Sequence, residues 1–147
     1  MKRWFFGFAV LAAACDPGEG DPVVAARKRQ MQALDASLTI IAQSGGGPVD
    51  RMLAEIEARA VAEGAARIPA LFAERRLPPE IPSRARAELW EQTNEFRDLA
   101  ARLGRSATGL ANAIKAGDFV GPLTQVEADC LACHRRFRLP DPNAKTR

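Results

Sequence analysis

Histidine and cysteine are scarce in this chain of 147 residues, which contains one histidine and three cysteines. A structural zinc site takes about four nitrogen or sulfur ligands, and one histidine with two neighbouring thiols does not supply them. Neither the G-x-x-x-x-G-K loop of phosphate-binding proteins nor the H-E-x-x-H helix of metalloproteases occurs in the sequence. We therefore expect a protein that is not an enzyme.

Aromatic residues are also few, at 6% of the chain, and no stretch shows the alternating pattern of a β-strand. Many of the apolar residues are alanine, which favours helices. A thioredoxin-like pair of redox cysteines would be expected in a βαβ unit, and the sequence predicts no such unit. The length allows one domain with a sizeable core, so we predict a single all-α domain.

The N-terminal residues 1–15 have the pattern of an export signal. Lys2 and Arg3 are followed by an apolar run over residues 4–11 and then by three alanines. The run is too short to span a bilayer permanently. Cys15 follows directly, so the alternatives are a lipoprotein anchored through Cys15, ordinary cleavage before that residue, or an uncleaved N-terminal helix. Either kind of export predicts a periplasmic protein.

Removal of this signal changes the charge of the chain. It leaves 19 basic against 18 acidic residues, a net charge of +1 instead of +3. The basic character of the whole chain thus comes mostly from the signal, and charge gives no support for nucleic-acid binding.

Cys130, Cys133 and His134 form a C-x-x-C-H motif near the end of the chain. This motif is the attachment site of a c-type haem. On a helix, thiols three positions apart lie on one side, where they can add to two vinyl groups at one haem edge. His134 lies on the same side and can bind the iron. The alternatives are a Cys130–Cys133 disulfide, or a haem-free helical protein that binds copper or another ligand with these three residues.

Apolar residues at alternating spacings of three and four predict four helices. The first begins at Asp21 and Pro22 and ends at Ser44, and the second begins at Pro48 and is ended or kinked by Pro69. Ser83 is the expected N-cap of a long third helix that Gly117 ends. The fourth begins at Gly121 and Pro122. The predicted apolar sides of these helices are Val24, Arg27, Met31, Leu34, Leu38 and Ile41; Val49, Met52, Leu53, Ile56 and Ala60; Leu89, Thr93, Phe96, Ala100, Leu103, Ala107, Leu110 and Ile114; and Leu123, Val126, Cys130, Cys133 and Phe137.

We therefore predict an antiparallel four-helix bundle over residues 22–139, preceded by a linker over residues 16–21 and followed by a flexible tail over residues 140–147. Because Cys130 and Cys133 occupy core positions of the last helix, one covalent haem c would lie inside the bundle. The one histidine is then used on one side of the iron, so the sixth ligand is another group or none.

With C-x-x-C-H on its last helix, the chain resembles the class II c-type cytochromes, the cytochrome c' family, over about residues 22–139. Weaker matches follow in the same order along the chain, at Pro69-x-x-Phe72, at Glu88-Leu89-Trp90 with Phe96, and at Ala116-Gly117-Asp118. The resemblance implies an exported protein that transfers single electrons to redox partner proteins, or binds small gases such as nitric oxide or carbon monoxide. It also implies a homodimer formed through the first two helices.

The resemblance implies further haem contacts. Arg27 and Lys28 correspond to the propionate side and Met31 to the distal position, while Phe137 and Arg138 match an aromatic-basic pair beside the proximal face. Trp90 and Phe96 would pack in the haem pocket or the core.

Alternatives stay open for several of these residues. Arg27 at the end of the bundle could instead pack its stem and reach water with its head. Met31 could bind the iron as a sixth ligand and make a low-spin electron carrier, crowd a five-coordinate iron, or fill the core. Arg138 could be one of several solvated cations at the end of the last helix. Peroxidase-like turnover is a further alternative, but no distal acid–base residue is evident near Met31.

Overall fold

The computed structural model describes residues 21–77, 83–118 and 120–141. The predicted export signal, Cys15, residues 16–20 of the linker and residues 142–147 of the tail lie outside these residues. No helix in the described ranges is long and apolar enough to span a membrane.

Five α-helices account for most of the described residues. They are α1 (Pro22–Gln43), α2 (Pro48–Leu71), the short α3 (Glu88–Glu91), α4 (Thr93–Ala116) and α5 (Val120–Phe137). The start of α1 is as predicted, because Asp21 Oδ1 accepts hydrogen bonds from the backbone amides of Val23 and Val24 at 2.8 and 3.1 Å. Gly117 ends α4 with φ of 84°, a left-handed conformation that favours glycine.

The four long helices form the predicted bundle around an apolar core. α2 packs most extensively on α4, α1 packs on α2, and α5 packs on α4. Between α1 and α5, by contrast, contact in the described part of the chain is at most marginal. The bundle is therefore loosely closed along the side where the first and the last helix face each other.

The predicted apolar sides of α1, α4 and α5 lie inward. Val24, Leu34 and Ile41 are buried on α1, and Val126 and Phe137 are buried on α5. On α4 the predicted core residues from Phe96 to Ile114 are buried, but the prediction is wrong for Thr93, which is exposed at the start of the helix. The spacing rule worked for these helices because each has one apolar side.

For α2 the predicted inward side is wrong. Val49, Met52, Leu53 and Ile56 are 44–71% exposed, and Ala60 is exposed as well. The buried side is instead made of small residues and two larger apolar ones, namely Ala54, Ala58, Val61, Gly64, Ala65 and Ile68. Small side chains let α2 approach α1 and α4 closely. The side of α2 that faces inward is therefore the one that allows the closest packing, and not the one with the largest apolar residues.

Close packing is most evident at Gly64. A Cβ atom at this position would lie 2.6 Å from Leu34 Cδ2 and 2.6 Å from Gln30 Nε2. A larger residue at this position would require the side chains of Leu34 and Gln30 to move. Further along α2, Pro69 lies inside the helix, which runs on to Leu71, so the expected break comes two residues later.

The third predicted helix starts later than expected and is interrupted. Ser83 is not a helix cap, because residues 83–87 precede α3 and pair with the chain that follows α5. The Arg86 amide donates to the Phe137 carbonyl at 2.9 Å, and the Leu139 amide donates to the Arg84 carbonyl at 2.7 Å. Gln92, with φ of −120° and ψ of 48°, then separates α3 from α4. This pairing with residues 137–139 of the same chain gives partners to backbone amide and carbonyl groups that would otherwise be paired within a helix.

Candidate haem-binding site

The C-x-x-C-H residues lie in the last two turns of α5. Cys130 and Cys133 are half-buried free thiols that pack against the apolar core. Burial is the main cause that raises the pKa of each thiol to about 11. Both are therefore protonated at neutral pH and kept on the inner side of the helix, three positions apart, as attachment to one porphyrin edge requires.

His134 is also half-buried at this end of the bundle. Burial, and then the positive charges of Arg138 and Arg84, lower the pKa of its imidazole. The neutral imidazole is the form that binds a metal ion. The environment of His134 thus favours an unprotonated nitrogen, which suits iron ligation.

Met31 is the predicted distal residue. It lies on α1, is partly buried, and packs against the same core cluster as Cys130 and Cys133. The residue therefore faces the bundle interior from the helix that borders the loosely closed α1–α5 side. Lys28, by contrast, is exposed on the first turns of α1.

Arg27 is buried, with 3% of its surface exposed, and its guanidinium binds backbone carbonyls. It donates to the carbonyls of Leu71, Glu74 and Arg76, which lie at and beyond the end of α2. The bond to Leu71 satisfies a carbonyl group that the helix end leaves without a partner, and the other two bonds hold the chain that follows α2. Sequence reasoning missed this role, since the only anion it considered for Arg27 was a propionate.

Aromatic rings surround the Arg27 guanidinium and continue toward α5. Its central carbon lies 4.7 Å from the Phe72 ring centroid and 5.5 Å from that of Trp90. Phe96 packs edge-on against Phe72 and Phe137, with centroids 5.4 and 5.5 Å apart. Trp90 Nε1 donates to the Phe72 carbonyl at 2.8 Å. Three of the predicted pocket residues, Trp90, Phe96 and Phe137, thus belong to one connected cluster.

Basic side chains cover the end of α5 near His134. Arg84 pairs with Asp141 at 3.0 Å and donates to the Leu139 carbonyl. Arg136 pairs with Glu95 at 3.3 Å, and it also contacts the Gln92 side-chain oxygen. Arg138 is exposed. Its positive charge is one of the causes that lower the pKa of His134, and its predicted place beside the proximal haem face stays a prediction.

Asp129, which sequence analysis did not single out, is a buried carboxylate next to Cys130. It is 2% exposed and accepts hydrogen bonds from Ser106 at 2.6 Å and Gln125 at 3.1 Å. It also pairs with Arg102 of α4 at 2.9 Å. A signal was present in the sequence, because Asp129 follows Val126 by three positions and precedes Cys133 by four, and so lies on the apolar side of α5.

These residues fit a covalent haem better than a bare metal ion. In the described ranges, no group of three or more His, Cys, Asp or Glu side chains is placed to hold a metal ion. Two inward thiols, a neutral imidazole and an adjoining aromatic cluster instead match the vinyl groups, the iron and the apolar faces of a porphyrin.

Comparison with known families and structures gives one consistent result. The family model of cytochrome c' matches residues 22–138. A search of curated proteins gave no significant match.

Among solved structures, a cytochrome c' with a ligand-controlled dimer dissociation superimposes with a TM-score of 0.71 at 18% identity, over 80% of this chain and 95% of that one. The cytochrome c' of Thermochromatium tepidum superimposes with a TM-score of 0.70 at 23% identity, over 80% and 95%. A ferrous variant of the cytochrome c' of Alcaligenes xylosoxidans with bound NO superimposes with a TM-score of 0.60 at 21% identity, over 81% and 97%.

Proposed function

The chain belongs to the cytochrome c' family, and from this premise we propose that it is an exported haem protein that transfers single electrons, binds a small gas such as nitric oxide, or does both. Its cofactor is covalent haem c. Haem supplies a one-electron couple and a site for diatomic ligands. The protein's contribution is to fix the axial ligand, exclude water and set the electrostatic environment.

The observation that carries the proposal is the placement of Cys130, Cys133 and His134. The two thiols lie inward on α5 as thioether anchors, and the environment of His134 favours its neutral, iron-binding form. They border the side of the bundle where α1 and α5 have at most marginal contact within the described residues. We propose that the porphyrin lies between these two helices.

The polar contacts of the haem follow from the residues at the same end. Arg27 uses three of its five N–H groups on carbonyls, which leaves others for a propionate, and the exposed Lys28 is a second cation on that helix. Arg138 acts on His134 from the proximal side. Trp90, Phe96 and Phe137 supply the apolar wall.

Met31 decides between electron transfer and gas binding. If its sulfur binds the iron, the centre is six-coordinate and low-spin, and a gas has to displace that ligand. If Met31 only crowds the iron, the sixth position is open. We propose the open form because a cytochrome c' that superimposes on this chain is described with bound NO.

The absorption spectrum of the ferrous protein with and without carbon monoxide tests this proposal. We expect broad high-spin bands that shift when the gas is added. Met31→Leu should leave the gas-free spectrum unchanged, since it removes no ligand. Sharp low-spin bands that are indifferent to carbon monoxide, and that become high-spin in Met31→Leu, would instead identify a methionine-ligated electron carrier.

We propose a periplasmic location because c-type cytochromes of this family are exported and the sequence begins with an export pattern. Two forms of the exported protein are possible, a soluble one and one that is anchored to the membrane by lipid at Cys15. Labelling with a radioactive fatty acid, with Cys15→Ala as the control, distinguishes them.

We also propose that the chain forms a homodimer through α2. Val49, Met52, Leu53 and Ile56 make a continuous exposed apolar stripe on its first half. A self-complementary stripe of this kind suits a two-fold interface. A cytochrome c' of the same fold is described as a dimer that a ligand dissociates.

A further inference from the structure

The carboxylate of Asp129 is the least exposed charge on α5, and the proposed haem attachment does not use it. It lies between α4 and α5, with 2% of its side chain exposed. Three side chains surround it: Ser106 Oγ and Gln125 Nε2 donate hydrogen bonds, and Arg102 Nε forms an ion pair at 2.9 Å. Both oxygens of the carboxylate therefore have a polar partner, Oδ2 in Ser106 and Oδ1 in Gln125 and Arg102.

The two charges of this pair lie in different environments. The Asp129 side chain is 2% exposed, whereas the Arg102 side chain is 47% exposed. Water screens an exposed charge far more than a buried one. The negative charge therefore acts on its surroundings through protein, and the positive charge of Arg102 partly offsets it.

Both charges lie beside the cysteine that would carry one edge of the haem. Asp129 directly precedes Cys130 on α5, and after burial its negative charge is the largest cause that raises the pKa of that thiol. Arg102 Nε lies 2.9 Å from Asp129 Oδ1 on the α4 side. Asp129 thus disfavours negative charge at Cys130, and Arg102 offsets this effect. Charges close to the thioether edge of the haem also interact electrostatically with the charge of the haem iron.

We propose that the Asp129–Arg102 ion pair sets the reduction potential of the haem from its thioether edge, with the buried carboxylate lowering the potential and the guanidinium limiting that effect. The oxidised haem carries one more positive charge than the reduced haem. A nearby negative charge therefore favours the oxidised form and a positive charge favours the reduced form. The inference rests on the proposed haem attachment at Cys130 and Cys133.

Redox titration of the purified haem-bearing protein tests the proposal. At a fixed ambient potential, Asp129→Asn should raise the ratio of reduced to oxidised haem on the order of threefold to tenfold, where tenfold equals 59 mV for a one-electron couple. Arg102→Gln should lower the ratio, since it removes the positive charge and leaves the carboxylate. Arg102→Lys keeps the charge and should restore a ratio close to that of the wild type.

Matched variants separate charge from packing. Ser106→Ala removes a hydrogen bond to Asp129 but no charge, so its ratio should stay within about twofold of the wild type while its thermal stability falls. Glu127→Gln and Arg105→Gln remove exposed charges from the same two helices. The shift of Glu127→Gln should be smaller than that of Asp129→Asn because water screens the exposed Glu127. The shift of Arg105→Gln should be smaller than that of Arg102→Gln because only Arg102 forms the 2.9 Å ion pair with the buried carboxylate.

Opposite shifts in Asp129→Asn and Arg102→Gln support the proposal, because both variants break the same contact and a purely structural role would move the potential in one direction. Shifts of the same sign, or shifts no larger than those of the exposed controls, would overturn it. If Asp129→Asn does not fold, the two Arg102 variants still test the proposal. It requires a lower ratio of reduced to oxidised haem in Arg102→Gln than in Arg102→Lys, and equal ratios would overturn it. A wild-type protein without covalent haem would instead refute the proposed function.

Discussion

Arg27 joins the first helix to the end of the second through its side chain alone. Its three hydrogen bonds reach residues 44 to 49 positions further along the chain. Its guanidinium also stacks over Phe72 and Trp90, so it connects the polar end of α2 with the aromatic cluster. A residue that looks like an isolated cation on an apolar helix side is thus a structural link.

Arg27→Met should lower the free energy of unfolding by about 2–4 kcal/mol, because it removes three hydrogen bonds and the contacts of a buried guanidinium with Phe72 and Trp90. Denaturant unfolding of the haem-bearing protein measures this change. Lys28→Met, at the exposed neighbouring position, serves as the control and should change stability by no more than about 0.5 kcal/mol. Equal stability of the two variants would contradict the structural role of Arg27.

Single residues differ in how far the sequence reveals their roles. The C-x-x-C-H motif is informative because its spacing itself encodes the chemistry, and the start at Asp21 follows from local hydrogen bonding. The carbonyl partners of Arg27 are distant in sequence, so no local pattern predicts them. Asp129 is an intermediate case, since its helical position marks it as inward but only the fold shows Arg102 and Ser106 beside it.

At the scale of the helices, the packing of α1 on α2 depends on a glycine. Gly64 is buried and faces Leu34 and Gln30 of α1. Gly109 on α4, by contrast, has no atom within 4 Å of the position a Cβ would take. The two glycines therefore give a matched pair in which the same substitution has opposite consequences.

Gly64→Ala should destabilise the protein by about 1–3 kcal/mol, since the added methyl group displaces the buried Leu34 side chain and Gln30 despite its better helix propensity. Gly109→Ala should stabilise it by up to about 1 kcal/mol, because only the propensity changes. Thermal or denaturant unfolding of both variants measures the difference. A stabilising Gly64→Ala would show that the two helices are not tightly packed at that point.

The inward side of a helix could be predicted from the sequence where the helix has only one apolar side. α1, α4 and α5 have a single apolar side, and it faces the core. α2 has an alanine-rich side and a side of larger apolar residues, and hydrophobicity alone selected the wrong one. The late start of α3 likewise depends on pairing with residues after α5, which are about 52 positions away and invisible to a local pattern.

At the scale of the whole molecule, the exposed stripe on α2 has a consequence for assembly. Its four side chains, Val49, Met52, Leu53 and Ile56, expose apolar surface that a partner copy would cover. The residues of α2 that were wrongly predicted to face the core are thus the ones proposed to form the dimer interface. A helix with two apolar sides can pack one side on the core and the other on a second subunit.

Ile56→Glu should raise the dimer dissociation constant by about tenfold or more, because it places a charge at a desolvated contact. Analytical ultracentrifugation over a range of protein concentrations measures this constant. Val120→Glu changes an even more exposed apolar residue on α5 and should leave the dissociation constant unaffected. A wild-type protein that is monomeric at high concentration, or equal effects of both variants, would contradict the proposed interface.

The covalent attachment of one haem is the claim on which the other functional statements depend. The mass of the intact polypeptide, measured under denaturing conditions after expression in a host that matures c-type cytochromes, tests it most directly. We predict a mass increased by one haem, and no increase when Cys130 and Cys133 are both replaced by serine. A wild-type polypeptide of unmodified mass would contradict the account.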